Sequence, residues 1–350
     1  MKKIGILTLN GNNNFGNKLQ NYALKFYLEK YNYRVETIWF YNNLKSRISP
    51  IIKKFFPAKK SYKRENIFEN FTKKYLNRKY YHNCMIDNYY DKFIVGSDQV
   101  WNYEFSGVKK DFDRFCLNFS NKEKNISYAA SIGTEKISSE FKDKFKNNLK
   151  NIKYISVREK QAEEELKKIT KRDDIKTLID PTMLLEAEDW ERILKKPKQL
   201  NNCQKYILNY FLGDLSDEKK SEIERIAKEN NCAIINVLDK SDPLYITGPE
   251  EFLYLEKNAF LICTDSFHSS VFAILFNRPF IVFERESKGC SSMNSRIETL
   301  LTKFKLENRK YNGKKITNKI LEHDYKDAYK ILEKERKKSE EFLKKALDIE

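Results

Sequence analysis

The residues best suited to chemistry lie in Thr264-Asp265-Ser266-Phe267-His268-Ser269-Ser270, after the apolar run 259–263 and before the apolar run 271–276. That pattern predicts a buried strand, a polar turn and a helix whose first turn carries hydroxyls and a histidine. Asp265 or Ser266 can serve as N-cap, and Arg278-Pro279 ends the helix before the next apolar strand at 280–283. A helix start offers unpaired N–H groups and the positive end of its dipole, so phosphate or carboxylate chemistry suits His268. The chain has three histidines, and His82 and His323 lack such a setting. A capped helix start with a packed histidine is the plainer explanation of this block taken alone.

Other polar groups fall at the ends of predicted strands. Asp98, in Gly96-Ser97-Asp98-Gln99, can accept from hydroxyls, act as acid or base, or cap the following helix. Arg158 can chelate a phosphate or carboxylate through two N–H groups, whereas its neighbour Glu159 offers a local ion pair. Arg296 is a second candidate anion clamp, set against a surface arginine. The loop Asn10 to Asn17, with Gln20 beyond it, lacks dinucleotide or P-loop glycine spacing. Its amides suit a neutral, hydroxyl-rich ligand or simply form turns.

The elements that carry these groups alternate. A strand over 2–9, the Asn-rich loop, a helix from about Lys18 to Lys30 and a strand over 35–40 make the building block of a parallel sheet. Further strands at 92–95, 125–128, 154–157 and 178–179 lead into polar or glycine-bearing loops, which in a parallel sheet open on one crevice. Residues 185–202 read as a linker, and a second alternating set begins at Lys205. The expected division is 1–190, 200–320 and a helical segment 321–350 that packs back on the body. The fold class expected from this pattern is α/β, two similar domains facing across a cleft, with parallel sheets flanked by helices.

Composition narrows the function. The 350 residues carry a net charge of +17, but Lys and Arg are interleaved with Asp and Glu throughout. Dispersed charge marks solvated helix faces, so nucleic-acid binding is not expected; anionic substrates or an anionic membrane face are favoured. The aromatic, basic stretch 46–71 suits surface helices or peripheral membrane contact. Six cysteines without metal-ligand spacing read as reduced core residues, and no metal or cofactor is expected. No apolar run has membrane-spanning length, and the expected location is cytoplasmic, at most on the inner face of the membrane.

In order along the chain, several blocks resemble the polysaccharide pyruvyl transferase family. They are the first loop with Asn17, Gln20 and Ala23-Leu24, then Val95 to Asn102, Ser127 to Gly133, Ser156-Val157-Arg158-Glu159, Asp180-Pro181-Thr182 and Thr264 to His268. Gly248 to Phe252 and Asn294 to Ile297 continue it, over roughly residues 2–310. The resemblance implies a GT-B-like fold and transfer of the enolpyruvyl carbons of phosphoenolpyruvate to two hydroxyls of a sugar, giving a cyclic ketal and phosphate. It implies two Rossmann-like domains, with the family's histidine on His268 and its arginine on Arg158; on that reading His268 and Asp98 are the expected catalytic groups, and Arg158, Ser266, Ser269 and Arg296 are expected to bind the donor. Asn14, Asn17, Gln20, Ser97, Gln99 and Ser131 would meet the acceptor, a surface-polysaccharide sugar or its nucleotide- or lipid-linked precursor. Ser269 and Ser270 depart from the family, which commonly has glycine after the histidine. Two other functions share these features: a sialyltransferase-like glycosyltransferase using a nucleotide sugar, and a non-catalytic glycan-binding protein.

Overall fold

The computed structural model describes residues 1–11, 13–40, 60–82, 85–134, 136–200, 205–285 and 295–349. Among these, the first apolar runs form strands β1 (Lys3–Leu7), β2 (Arg34–Phe40), β3 (Arg78–Tyr81), β4 (Lys92–Val95), β5 (Asn125–Ala130), β6 (Tyr154–Val157) and β7 (Lys176–Thr177). They pair in parallel in the order β3-β2-β1-β4-β5-β6-β7. A second parallel sheet holds β8 (Tyr206–Tyr210), β9 (Ala233–Asn236), β10 (Leu261–Thr264) and β11 (Phe280–Val282), ordered β11-β10-β8-β9. β5, β8 and β10 are buried along their whole length, as expected where helices cover both sheet faces. Strand order reverses between β1 and β4 in one sheet and between β8 and β10 in the other. Ligand crevices form at such switch points.

The principal helices are α1 (Phe15–Glu29), α2 (Lys60–Tyr75), α3 (Lys160–Thr170), α4 (Asp217–Glu229), α5 (Pro249–Asn258), α6 (Phe267–Leu275), α7 (Ser295–Phe304) and α8 (Lys326–Leu347). α1 begins three residues earlier than its sequence pattern suggests because Asn14 caps it, its side chain accepting from the Asn17 amide at 3.2 Å. That earlier start carries Phe15 into the other domain, where it stacks on Phe252 with ring centroids 4.1 Å apart. One continuous core contains Ile4, Leu19 and Phe68 from the first sheet's layer and Tyr210, Phe252 and Phe272 from the second. An apolar join of this kind holds two domains in one orientation, unlike the polar interfaces that allow hinge motion.

Within the stretch 46–71, residues 46–59 lie outside the described residues, and the remainder starts α2. α2 packs by one face, through Arg64, Phe68, Phe71 and Thr72, and its other face is exposed. Its Arg64 is 1 % exposed, lies over the Phe15 ring at 4.8 Å and donates to the carbonyls of Val237 and Tyr245. Residues 185–200 are likewise packed rather than free as a linker, because Trp190 is fully buried against Phe272 at 5.0 Å and Tyr22 at 5.5 Å. α8 returns to the first domain: Tyr33 donates to the Leu347 carbonyl at 3.0 Å, and Arg336 to the carbonyls of Met183 and Leu185 at 2.8 Å. Of the six cysteines, Cys116 and Cys263 are buried and Cys232 is half-buried, all as free thiols, while Cys84, Cys203 and Cys290 lie outside the described residues.

Arg64 therefore satisfies two buried carbonyls across the domain join. Arg64→Ala is expected to lower the unfolding free energy by about 3 kcal/mol in denaturant titration. A loss below about 1 kcal/mol would contradict that role.

Candidate active site

Three strand-end loops of the first sheet and the start of α6 converge on Asp180. β4 ends at Gly96, whose φ of +116° suits glycine and whose Cβ, if it had one, would overlap the Tyr128 carbonyl oxygen. This turn brings Ser97 Oγ to 2.9 Å from Asp180 Oδ2 and 2.9 Å from the Ala129 carbonyl oxygen. Asp98 follows with a left-handed φ of +65°. Its carboxylate accepts from Asn17 Nδ2 and from the Gln99 amide at 2.9 Å, and lies 3.8 Å from Arg158 Nη2.

Arg158 leaves the end of β6 and donates from Nη1 to Asp180 Oδ2 at 2.6 Å. Glu159 is a weaker neighbour, 3.6 Å from Arg158 Nε, and instead accepts from Ser131 Oγ. Asp180 Oδ1 accepts from the Thr182 amide at 3.0 Å and hydroxyl at 2.8 Å, the capping geometry that Pro181 at the first helical position favours. From the second domain, Phe267 places its ring 4.3 Å from the Arg158 guanidinium, and His268 places Nε2 3.6 Å from Asp180 Oδ2. The His268 ring lies so close to α1 that a Cβ on Gly16 would overlap it. Gly16 thus permits the two domains to meet at the histidine.

The electrostatics follow from burial. Burial alone would raise the pKa of Asp180, but His268, Arg158 and the Thr182 amide outweigh it and hold the carboxyl well below the usual range. Burial opposes the charge on Arg158, and Asp180, Glu159 and Asp98 overcome it and raise its pKa. Arg296, buried at the start of α7, is lowered to about 10 by burial and then by the Arg158 charge. Two guanidiniums are therefore crowded together, but three carboxylates offset them. What the cluster offers an anion is directed hydrogen bonds: Arg158 Nε, Arg158 Nη2 and His268 Nε2 are sealed from solvent without a hydrogen-bond partner.

The other candidate residues are wired differently. Asn14 caps α1. Gln20 is fully buried and donates to Thr8 Oγ1 at 2.9 Å and the Asn17 carbonyl at 3.0 Å. Gln99 accepts from Asn102 at 2.7 Å. The Ser266 amide donates to Thr264 Oγ1 at 3.0 Å, and the Ser266 carbonyl accepts from Ser270 Oγ at 3.0 Å. Asp265, one of the two N-cap candidates, instead accepts the amides of Leu212 and Gly213 at 2.7 and 2.8 Å and pairs with Arg285 at 2.9 Å. Ser269 turns away from His268 and donates to Glu256 at 2.6 Å, and burial raises the Glu256 pKa well above the usual carboxyl range. His323 bridges the carbonyls of Leu321 and Asn277, each at 3.0 Å, and His82 is exposed. Sequence reasoning gave no role to Asp180, Thr8, Gly16 or Phe267. The one available signal was Asp180-Pro181-Thr182 at a strand end. Among the described residues no group of His, Cys, Asp and Glu has the arrangement of a metal site, and no helix is long and apolar enough to cross a membrane.

Two parallel α/β domains joined across the carboxyl ends of their strands define a GT-B-type architecture. Solved structures share it at low identity. The MnaA–UDP co-structure from S. aureus aligns with a TM-score of 0.51 and 13 % identity, over 100 % of this chain and 98 % of that one. A UDP-N-acetylglucosamine 2-epimerase aligns with a TM-score of 0.50 and 12 % identity, over 99 % and 96 %. No curated protein matches the sequence. The family model for polysaccharide pyruvyl transferase matches residues 14–287. The chain belongs to that family, whose members transfer pyruvyl groups.

Lys18, beneath the first loop, is fully buried with Nζ 3.4 Å from the Asn10 carbonyl oxygen, and burial, with the Arg78 charge, lowers its pKa to about 7. Between that value and about 10.4 the unfolded chain binds the extra proton, so this group makes stability rise with pH; below it the folded protein carries the full cost of a buried ammonium. Lys18→Met is expected to raise the melting temperature most near about pH 6, the gain shrinking toward about pH 9.5. An equal gain at both would contradict this.

Proposed function

We propose that the enzyme transfers the enolpyruvyl carbons of phosphoenolpyruvate to two hydroxyls of one sugar of a surface polysaccharide or its precursor. The observation that carries this reading is the set of partnerless buried donors on Arg158 and His268 beside Arg296. A ligand for them must be small and rich in acceptor oxygens, and it must enter where two guanidiniums repel each other. A phosphate ester carrying a carboxylate meets each condition.

The reaction follows from this binding. Protonation of the donor's methylene carbon makes the adjacent carbon electrophilic, and a sugar hydroxyl adds to it. The bond from that carbon to the phosphate oxygen then breaks, and the second hydroxyl closes the ketal. Of the two hydroxyl protons, one is balanced by the new methyl group and the other leaves with phosphate, so no water is consumed. In this scheme His268, positioned by Asp180, handles a proton at the phosphate or the methylene, and Arg158 and Arg296 stabilise the leaving phosphate. Asp98 is a further carboxylate of the cluster, held by Asn17 and available as a base toward the attacking hydroxyl.

His268→Ala is expected to cut phosphate release from phosphoenolpyruvate, with acceptor present, by roughly a hundredfold or more. Arg158→Lys keeps the charge but loses the fork, so donor affinity should fall by about tenfold. Wild-type phosphate release in the first variant, or unchanged donor affinity in the second, would overturn the assignment.

A further inference from the structure

A second opening lies at the carboxyl ends of β8 and β9, on the face covered by α4. It is a crevice of about 840 Å³ whose lining includes Asn209, Phe211, Asp214, Asn236, Asp239 and Asp242. Its chemistry is the reverse of the His268 cluster. Asn209 is 8 % exposed, and its Oδ1 is sealed without a hydrogen-bond partner. Asn236 is its register partner on the neighbouring strand. Asp242 spends part of its acceptor capacity on the amides of Asn236 and Leu244, both within 2.8 Å, and Asp239 accepts from the Ser241 amide at 2.8 Å. Asp214 is exposed on the rim, and the lining cation Lys220 pairs with Asp217 at 3.0 Å. The unused capacity of this crevice is therefore for donors. A phosphate ester, which brings acceptors and negative charge, is disfavoured there, whereas a sugar ring brings several O–H donors without charge.

The crevice is also tied to the catalytic cluster. Gly213 of its lining and the adjacent Leu212 donate to Asp265 at 2.8 and 2.7 Å, and Asp265 leads directly into Ser266, Phe267 and His268. In the first domain, by contrast, Ser97 and Ser131 are fully buried and turned onto protein partners. We infer that the neutral sugar acceptor is held in the β8–β9 crevice, with Asn209 Oδ1 accepting from a ring hydroxyl. This inference rests on the pyruvyl-transfer reading for the identity of the acceptor. The two sites then divide the substrates by hydrogen-bond sense: donors for the anion, acceptors for the sugar.

The test is calorimetric titration of the full chain with the methyl glycosides of glucose, galactose, mannose and N-acetylglucosamine, with and without phosphoenolpyruvate. At least one glycoside should bind. Asn209→Leu should weaken it by about tenfold, with phosphoenolpyruvate affinity changed by less than about twofold. Asp214→Ala, at an exposed position on the rim, should weaken the same glycoside. Binding to none of the four, or equal binding by wild type and both variants, would overturn the inference. Glycoside binding without phosphoenolpyruvate binding supports the crevice and contradicts only the donor reading.

Discussion

The carboxylate of Asp180 is the point on which the rest of the site depends. It takes Arg158 at 2.6 Å, lies 2.9 Å from Ser97 Oγ and 3.6 Å from His268 Nε2, and accepts both N–H and O–H from Thr182. A buried carboxylate is costly unless its acceptor capacity is filled, and here four segments of chain supply the filling. The arrangement leaves Arg158 with two N–H directions unspent. A guanidinium fixed by one ion pair is oriented for a ligand without side-chain entropy to lose when the ligand arrives.

The domain join makes this geometry possible. His268 belongs to the second sheet's layer and Asp180 to the first, so their approach requires the domains to be held in register. Phe15 on Phe252, Arg64 between two carbonyls and α8 folded back over the first domain supply that constraint. Gly16 then removes the side chain that would keep the histidine out. An apolar, continuous core suits a site whose clustered groups come from both domains and must not drift apart.

Much of this was legible in the sequence. Apolar runs punctuated by polar loops gave parallel strands with their functional ends on one side, and ordered motif blocks gave the family. His268 and Arg158 stand at strand ends, which is why local pattern found them. Asp180 entered the sequence only as part of a strand-end block; its contacts beyond Thr182 come from segments distant in sequence, which no local pattern encodes. Ser97 and Ser131, expected at the acceptor, hydrogen-bond to Asp180 and Glu159, whereas Gln20 donates to Thr8 and keeps its buried Oε1 unpartnered. Ser269 illustrates helical geometry: one step along α6 from His268 turns a side chain by about 100°, toward Glu256. Asn209 sits among apolar strand residues, and its unpaired oxygen is visible only once β8 and β9 are side by side.

A crystal structure of the full chain with phosphoenolpyruvate would decide whether the unspent donors are the anion site. The expected result is phosphate or carboxylate oxygens within hydrogen-bond distance of Arg158 Nη2 or Nε and of His268 Nε2, with the Arg158–Asp180 pair intact. Phosphoenolpyruvate seated in the β8–β9 crevice, with the nitrogens of Arg158 and His268 still unpartnered, would contradict it.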